Sequence, residues 1–336
     1  MLEHGGHLRQ AARAYGTPFE SWLDLSTGIN PDPWPVPPIP GPCWNRLPEE
    51  EDGLEAAAQA YFQTPHLLPT AGSQATIQIL PRLLSAQRIG IPTPTYAEHA
   101  HAWRTAGRDV VPLSHASLEM PPDDVDLLLL VNPNNPTGCR YAPATLLAWA
   151  ERLAKNKRWL VVDEAFMDTT PTESLSPHAG TPGLILLRSL GKFFGLAGAR
   201  CGFLLAPPAI RTQASSALGP WSLAGPTRFA ASLALQDRTW QTTTRSRLAT
   251  DARRLGELLS THHLPPSGGT DLFQWVRTPA ARYIQDHMAR QAVLVRAFDD
   301  PPSLRFGLPG READWVRLER ALAAIIVPTL LPPIND

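Results

Sequence analysis

The chain has 336 residues, enough for one large domain and a smaller one. Its 30 basic residues nearly balance its 31 acidic ones, and no long basic run occurs, so a nucleic-acid or anionic-membrane role has no electrostatic support. No stretch approaches the ~20 apolar residues of a membrane span, residues 1–7 carry no apolar signal region, and Cys43, Cys139 and Cys201 have neither metal-binding spacing nor an even number to pair; a soluble, cytoplasmic protein with reduced thiols and no metal is expected.

A short helix is predicted over 8–15, then the segment Leu23-Asp24-Leu25-Ser26-Thr27-Gly28-Ile29-Asn30-Pro31. Of 36 prolines, only those in 31–42 are dense enough for an extended arm. A helix is expected over 53–62, and the turn around Gly72 opens another. A strand over 88–91 and helices over 96–106 and 143–153 follow. The runs 126–131, 159–162, 184–187 and 201–206 are nearly continuously apolar. Strands of that kind, alternating with helices, form a sheet that is mostly parallel and buried on both faces.

Ligands of such sheets sit beyond the carboxyl ends of the strands. Three of these ends carry polar residues: 132–138, Asp163-Glu164, and Ser189 to Lys192. After Pro207 the pattern changes to long helical stretches over about 227–263, strands over 271–277, 292–298 and 303–307, and a last helix over 312–326. The expected division is a large domain over 31–207 and a small α+β domain made of 1–30 and 208–336.

The chain has three lysines, and two of them, Lys155 and Lys157, lie in a charged helix end. The third, Lys192, follows an apolar strand among glycines and aromatics, in Ser189-Leu190-Gly191-Lys192-Phe193-Phe194. A desolvated amine there gives up its proton more readily and can form a Schiff base. Asp163 closes a buried strand, where a carboxylate needs a partner; a pyridinium nitrogen suits it. Gly72-Ser73-Gln74 opens a helix, whose N–H groups and dipole favour an anion. Ser189 and Arg200 are further donors for such an anion. Asn132-Pro133-Asn134-Asn135-Pro136-Thr137-Gly138 is a rigid turn, and Asn135, before a proline, is held out of the helical region.

In combination and order, Asn-Pro-Asn-Asn-Pro-Thr-Gly, Asp163-Glu164-Ala165-Phe166 and Ser189-x-x-Lys192 with Arg200 resemble the fold-type I PLP-dependent enzymes of the aspartate aminotransferase superfamily. The resemblance covers nearly the whole chain. It implies an α/β fold with a mostly parallel seven-stranded sheet plus a smaller α+β domain, pyridoxal 5'-phosphate as cofactor, and a homodimer. It implies that Lys192 carries the cofactor covalently, that Asp163 binds the pyridine nitrogen, and that Asn135 binds the ring oxygen. Gly72, Ser73, Gln74, Ser189 and Arg200 would hold its phosphate. Tyr96 would stack on the ring, with His99 the rival for that place.

Two subgroups are closest: histidinol-phosphate aminotransferases and the L-threonine-O-3-phosphate decarboxylases of cobalamin biosynthesis. His4-Gly5-Gly6, the Lys192 motif, Pro220-Trp221-Ser222, and Ala234-Leu235-Gln236-Asp237 with Trp240 resemble the second. So does Phe166, where many aminotransferases carry a tyrosine. Relatives often have Tyr-Pro where this chain has Leu47-Pro48, so a tyrosine contact to the neighbouring subunit's cofactor phosphate is missing. The decarboxylase reading needs cations for a carboxylate and a phosphate; Arg305 resembles the superfamily's carboxylate arginine, Arg296 and His4 are candidates for the phosphate, and Asn30 lies in a segment resembling the substrate side. The runner-up is an aminotransferase of the histidinol-phosphate type. A third reading, a non-catalytic PLP-fold partner in corrinoid synthesis, is opposed by the presence of Lys192, Asp163 and Arg200. Ser189-x-x-Lys192 also fits the Ser-x-x-Lys of β-lactamases, but no Lys-Thr-Gly accompanies it.

Overall fold

The structure is a computed structural model that describes residues 4–325; the end of the last predicted helix and the final residues lie outside that range. Its strands, in chain order, are β1 (Leu23–Asp24), β2 (Leu67–Thr70), β3 (Arg88–Thr93), β4 (Asp109–Ser114), β5 (Leu127–Val131), β6 (Trp159–Asp163), β7 (Leu184–Ser189), β8 (Gly202–Leu205), β9 (Gly268–Thr270), β10 (Phe273–Arg277), β11 (Val293–Leu294), β12 (Arg296–Asp299) and β13 (Pro302–Gly307). The chain forms two compact units, one of residues 33–135 and 139–245, the other of residues up to 32, 136–138 and those from 246 onward.

The larger unit is built on a seven-stranded sheet in the order β2-β8-β7-β6-β5-β3-β4. β4, β3, β5, β6 and β7 are parallel, and β8 runs against both of its neighbours. All five residues of β5 are buried, as are those of β7 up to Arg188. Leu127, Leu129, Val161, Ile185 and Leu187 pack in one cluster with Ile77, Leu80 and Trp103 from the covering helices. Each fully buried leucine contributes about 1.5–3 kcal/mol, which is why Leu127–Val131 and Leu184–Leu187 carry no polar interruption.

Two strands escape the sequence pattern for physical reasons. β2 contains Pro69 and sits at the sheet edge, where a missing N–H is tolerated. β4 is the opposite edge; it is half-exposed and contains Pro112.

The expected domain boundary at Pro207 differs from the observed division. Helices Pro208–Leu218 and Gly225–Gln236 pack on Ser73–Leu83 and Leu54–Phe62 of the larger unit. Ile210 and Ala214 belong to its sheet-covering core. The change of pattern after Pro207 marks the end of the seven-stranded sheet's strands, not of the packed layer, and the units part inside helix Arg238–Thr261.

The smaller unit holds an antiparallel sheet, β12-β13-β10-β9, and the parallel pair β1-β11. Helix Ala281–Arg290 packs on β11, β12 and β13. Helix Leu8–Tyr15 joins it through a small core of Ala11, Trp22, Ala289 and Ala292. The strand expected over 292–298 is two strands that belong to different sheets.

Candidate active site

β5, β6 and β7 are adjacent and parallel, with Val131 in register with Asp163 and Asp163 with Leu187. Their carboxyl ends therefore lie side by side and present Asn132, Asp163 and Ser189 along one edge. Because β8 is reversed, its amino end reaches the same edge: Ser189 pairs with Gly202, and Gly202 pairs with Thr70 at the end of β2. That register brings Arg200, Ser189 and the Gly72–Ser73 helix start together.

Asp163 is buried at 3 % exposure. Its Oδ1 accepts the Ala165 N–H at 2.9 Å, and its Oδ2 lies 2.9 Å from His99 Nε2. His99, expected as a rival stacking residue, is instead fully buried against this carboxylate. The spacing Tyr96 to His99 is one helical turn, so both rings sit on one face, 5.9 Å apart edge to face.

Lys192 is half-buried, with Nζ 5.4 Å from the centre of the Phe166 ring. The loop that carries it is pinned by its next two residues. Phe193 and Phe194 are fully buried, and Phe194 stacks on Trp240 at 5.6 Å. The Trp34 N–H bonds the Phe194 carbonyl at 2.9 Å.

Asn132 and Asn134 brace the next loop. Asn132 bonds both backbone groups of Tyr141. Asn134 accepts from Thr95 Oγ1 at 2.6 Å and donates to the Pro94 carbonyl at 2.9 Å. Asn135 follows them, partly buried.

The anion cup depends on two glycines. A Cβ at Gly202 would lie 2.5 Å from the Ser73 nitrogen, and one at Gly72, where φ is +77°, would lie 2.7 Å from Arg200 Nη2. Without side chains there, the Ser73 N–H and the Arg200 guanidinium approach the same helix start. Arg200 itself holds a left-handed φ of 54°, with Nη1 bonded to the Ala197 carbonyl at 3.1 Å. The Gln74 side chain turns away to the next helix. Its amide donates to the Glu98 carboxylate at 2.7 Å and faces the Tyr96 hydroxyl at 3.5 Å. With its side-chain amide engaged by Glu98, Gln74 offers an anion its backbone N–H at this helix start.

The sequence matches the family described as aminotransferase class I and II over residues 50–325. The chain belongs to this family. Among its relatives, it is 53% identical over 322 residues to a threonine-phosphate decarboxylase of Pseudomonas aeruginosa, covering 96% of this chain and 97% of that one. A second threonine-phosphate decarboxylase, from Sinorhizobium sp., is 41% identical over 332 residues, 96% of this chain and 98% of that one. A solved histidinol-phosphate aminotransferase of Sinorhizobium meliloti, in complex with pyridoxal-5'-phosphate, shares the fold at a TM-score of 0.78 and 20% identity, over 96% of this chain and 94% of that one. The fold is that of the fold-type I aminotransferases, and the family's cofactor is pyridoxal 5'-phosphate. The donor set fits that group: a glycine-lined cup with an arginine for its phosphate, a buried carboxylate for its ring nitrogen, and a half-buried lysine between aromatics.

The four residues expected to bind substrate all lie in the smaller unit. Arg296 and Arg305 are direct partners across β12 and β13. Arg305 is 7 % exposed and donates to the Ser26 carbonyl at 2.6 Å. Ser26 Oγ accepts the Gly6 N–H at 2.8 Å, and Arg296 Nη1 reaches the His4 carbonyl at 3.4 Å. A cavity of about 220 Å³ is lined by His4, Gly5, Gly6, Ser26, Arg282 and Arg296, among others. Asn30 is buried, and its Oδ1 accepts from Asp32 N–H and Arg247 Nη2. Sequence reasoning missed Ser26, which ties the N-terminal glycines to Arg305, as well as His99 at Asp163 and Gly202. Only His99 left a trace in the sequence, its one-turn spacing from Tyr96. Among the described residues no helix is long and apolar enough to cross a membrane.

Proposed function

We propose that this chain is a PLP-dependent carboxy-lyase that converts L-threonine O-3-phosphate to carbon dioxide and (R)-1-amino-2-propanol O-2-phosphate, the linker precursor of the cobalamin nucleotide loop. The whole-length likeness to the Pseudomonas aeruginosa threonine-phosphate decarboxylase carries this reading. The residues are assigned accordingly. Lys192 Nζ carries the cofactor covalently. The Asp163 carboxylate, steadied by His99 and Ala165 N–H, holds a proton on the pyridine nitrogen. Asn135 would bond the ring oxygen, and Tyr96 would lie against the ring. The N–H groups of Ser73 and Gln74, the Ser189 hydroxyl and Arg200 hold the phosphate.

When bound, the cofactor supplies an electron sink for the pair left on Cα as a bond breaks. In decarboxylation the Cα–carboxylate bond breaks, its electron pair stays on Cα, and Lys192 Nζ delivers the proton that takes the carboxylate's place. Arg305 holds the substrate carboxylate until it leaves, and Arg296 with His4 holds the phosphate. Two arginines directly opposite each other on paired strands offer a doubly anionic substrate two cationic forks. Asn30 orients the substrate side.

We place the protein in the cytoplasm as a homodimer. Trp44, Leu47 and Trp221, at 68%, 63% and 59% exposure, are large apolar side chains on the larger unit of the kind that a second copy covers.

The test is to incubate the PLP-loaded protein with O-phospho-L-threonine and no amino acceptor, and to identify the product by mass spectrometry. The phosphorylated amine is expected. Formation of a 2-oxo acid that requires an acceptor would replace this reading with an aminotransferase.

A further inference from the structure

Beneath the strand ends that carry Asp163 and Lys192 lies a buried ion network to which the proposed chemistry gives no part. Arg188, on β7, is 2 % exposed, and Glu164, the residue after Asp163, is 0 % exposed. Arg188 Nη1 donates to Glu164 Oε2 at 2.7 Å and also meets the hydroxyls of Ser174 and Ser176. Arg188 Nη2 donates to Asp168 Oδ1. Glu164 Oε1 accepts the Leu175 N–H at 2.8 Å. Asp168 also accepts the Tyr61 hydroxyl at 3.0 Å, and Arg245 Nε bonds the Asp168 carbonyl at 2.8 Å. The guanidinium lies over the Phe62 ring, 4.8 Å from its centre.

Such a cluster is a poor means of gaining stability, because desolvation consumes most of the Coulomb energy. It does fix geometry, since the planar fork of arginine accepts two carboxylates only in set directions. What it fixes is one turn. Glu164 N–H continues the ladder to the Leu187 carbonyl at 2.9 Å. The next residue, Ala165, supplies the N–H that holds Asp163 Oδ1. Arg188 is itself followed by Ser189 and, four positions on, by Lys192. Successive strand residues face opposite ways, so Arg188 stands on the other face of β7 from Ser189.

Resting on the cofactor site proposed above, we propose that Arg188 is a positioning residue: its buried fork to Glu164 and Asp168 holds the Asp163-Glu164-Ala165 turn, and so aims the Asp163 carboxylate at the ring nitrogen. Burial alone would push its pKa down, but Asp168 and Glu164 beside it raise it above the ordinary arginine value. The fork is therefore charged at every working pH.

The test uses the full chain loaded with PLP. The visible absorbance of the bound cofactor is titrated against pH, and the PLP dissociation constant is measured by equilibrium dialysis. Arg188→Met is expected to move the titration midpoint by about one pH unit and to weaken PLP binding about tenfold. Arg188→Lys, which keeps the charge but not the fork, is expected to move both less. Arg228→Met removes a different arginine, bound to Asp52 and Glu55, and is expected to lower the melting temperature without moving the midpoint. Should Arg188→Met fail to fold, the double variant Ser174→Ala, Ser176→Ala, which strips two bonds from the same guanidinium, is judged by the same readings. Unmoved midpoints in the folded variants, or an equal movement in Arg228→Met, would overturn the proposal. A wild type with no cofactor band contradicts the cofactor site itself; a wild-type band with unmoved variants contradicts only the positioning role.

Discussion

His99 Nε2 lies 2.9 Å from Asp163 Oδ2, with the two side chains 0% and 4% exposed. A buried carboxylate held at both oxygens is fixed in direction. On the proposed reading, Asp163→Asn cannot keep a proton on the ring nitrogen and is expected to lower kcat by about 10²–10³-fold, the scale of losing one aimed electrostatic contact. His99→Gln removes only a restraint and is expected to cost about tenfold. Steady-state rates of the two variants, saturated with PLP, check the order. A His99 variant as impaired as Asp163→Asn would make the histidine more than a support.

Gly202 leaves room that no other residue would. Gly202→Ala puts a methyl group 2.5 Å from the Ser73 nitrogen, against backbone that cannot swing away. The helix start must shift, and the anion cup with it. PLP affinity is expected to fall by about tenfold or more, read by equilibrium dialysis; an unchanged affinity would remove this helix start from the phosphate site.

Arg296 and Arg305 oppose each other in register. The variant Arg296→Leu removes one charge of the pair together with its bond to the His4 carbonyl. The same change is expected to raise KM for O-phospho-L-threonine about ten- to hundredfold, the loss of a charged hydrogen bond. It should also abolish the stabilisation that added substrate gives the wild type. Thermal melts with and without substrate decide it.

His115 gives a pH dependence. Burial lowers its pKa, and a backbone contact at Pro94 only partly opposes this. Its Nδ1 lies 3.0 Å from the Tyr141 hydroxyl. A histidine depressed in the fold favours folding while neutral. Its contribution is present above the unfolded value of ~6.5 and is lost as pH falls from there through the folded value. Urea unfolding on either side of that window should show the wild type losing stability on the acid side. His115→Phe should show a shallower loss, and equal slopes would contradict the assignment.

Much of this was legible in the sequence, because the signals were local. Leu127 to Val131 and Leu184 to Leu187 are apolar at every position, and their strands lead to Asn132 and Ser189 at the sheet's working edge. Lys192 stood out by rarity and by its aromatic neighbours. The edge strands did not, since Pro69 and the half-exposed β4 blur any pattern. Nor did contacts between distant positions. His99 and Asp163 are 64 residues apart, and Arg188 and Tyr61 meet Asp168 from either side of it in the chain. The unit boundary was misread because Pro208–Leu218 and Gly225–Gln236 resemble the helices after them in composition, while their partners lie far earlier in the chain.

The most direct measurement is the stoichiometry of carbon dioxide released from O-phospho-L-threonine labelled in its carboxyl group, with PLP present and no amino acceptor. Decarboxylation predicts one labelled carbon dioxide for each substrate consumed. Substrate consumption that yields no labelled gas and depends on an added 2-oxo acid would contradict it.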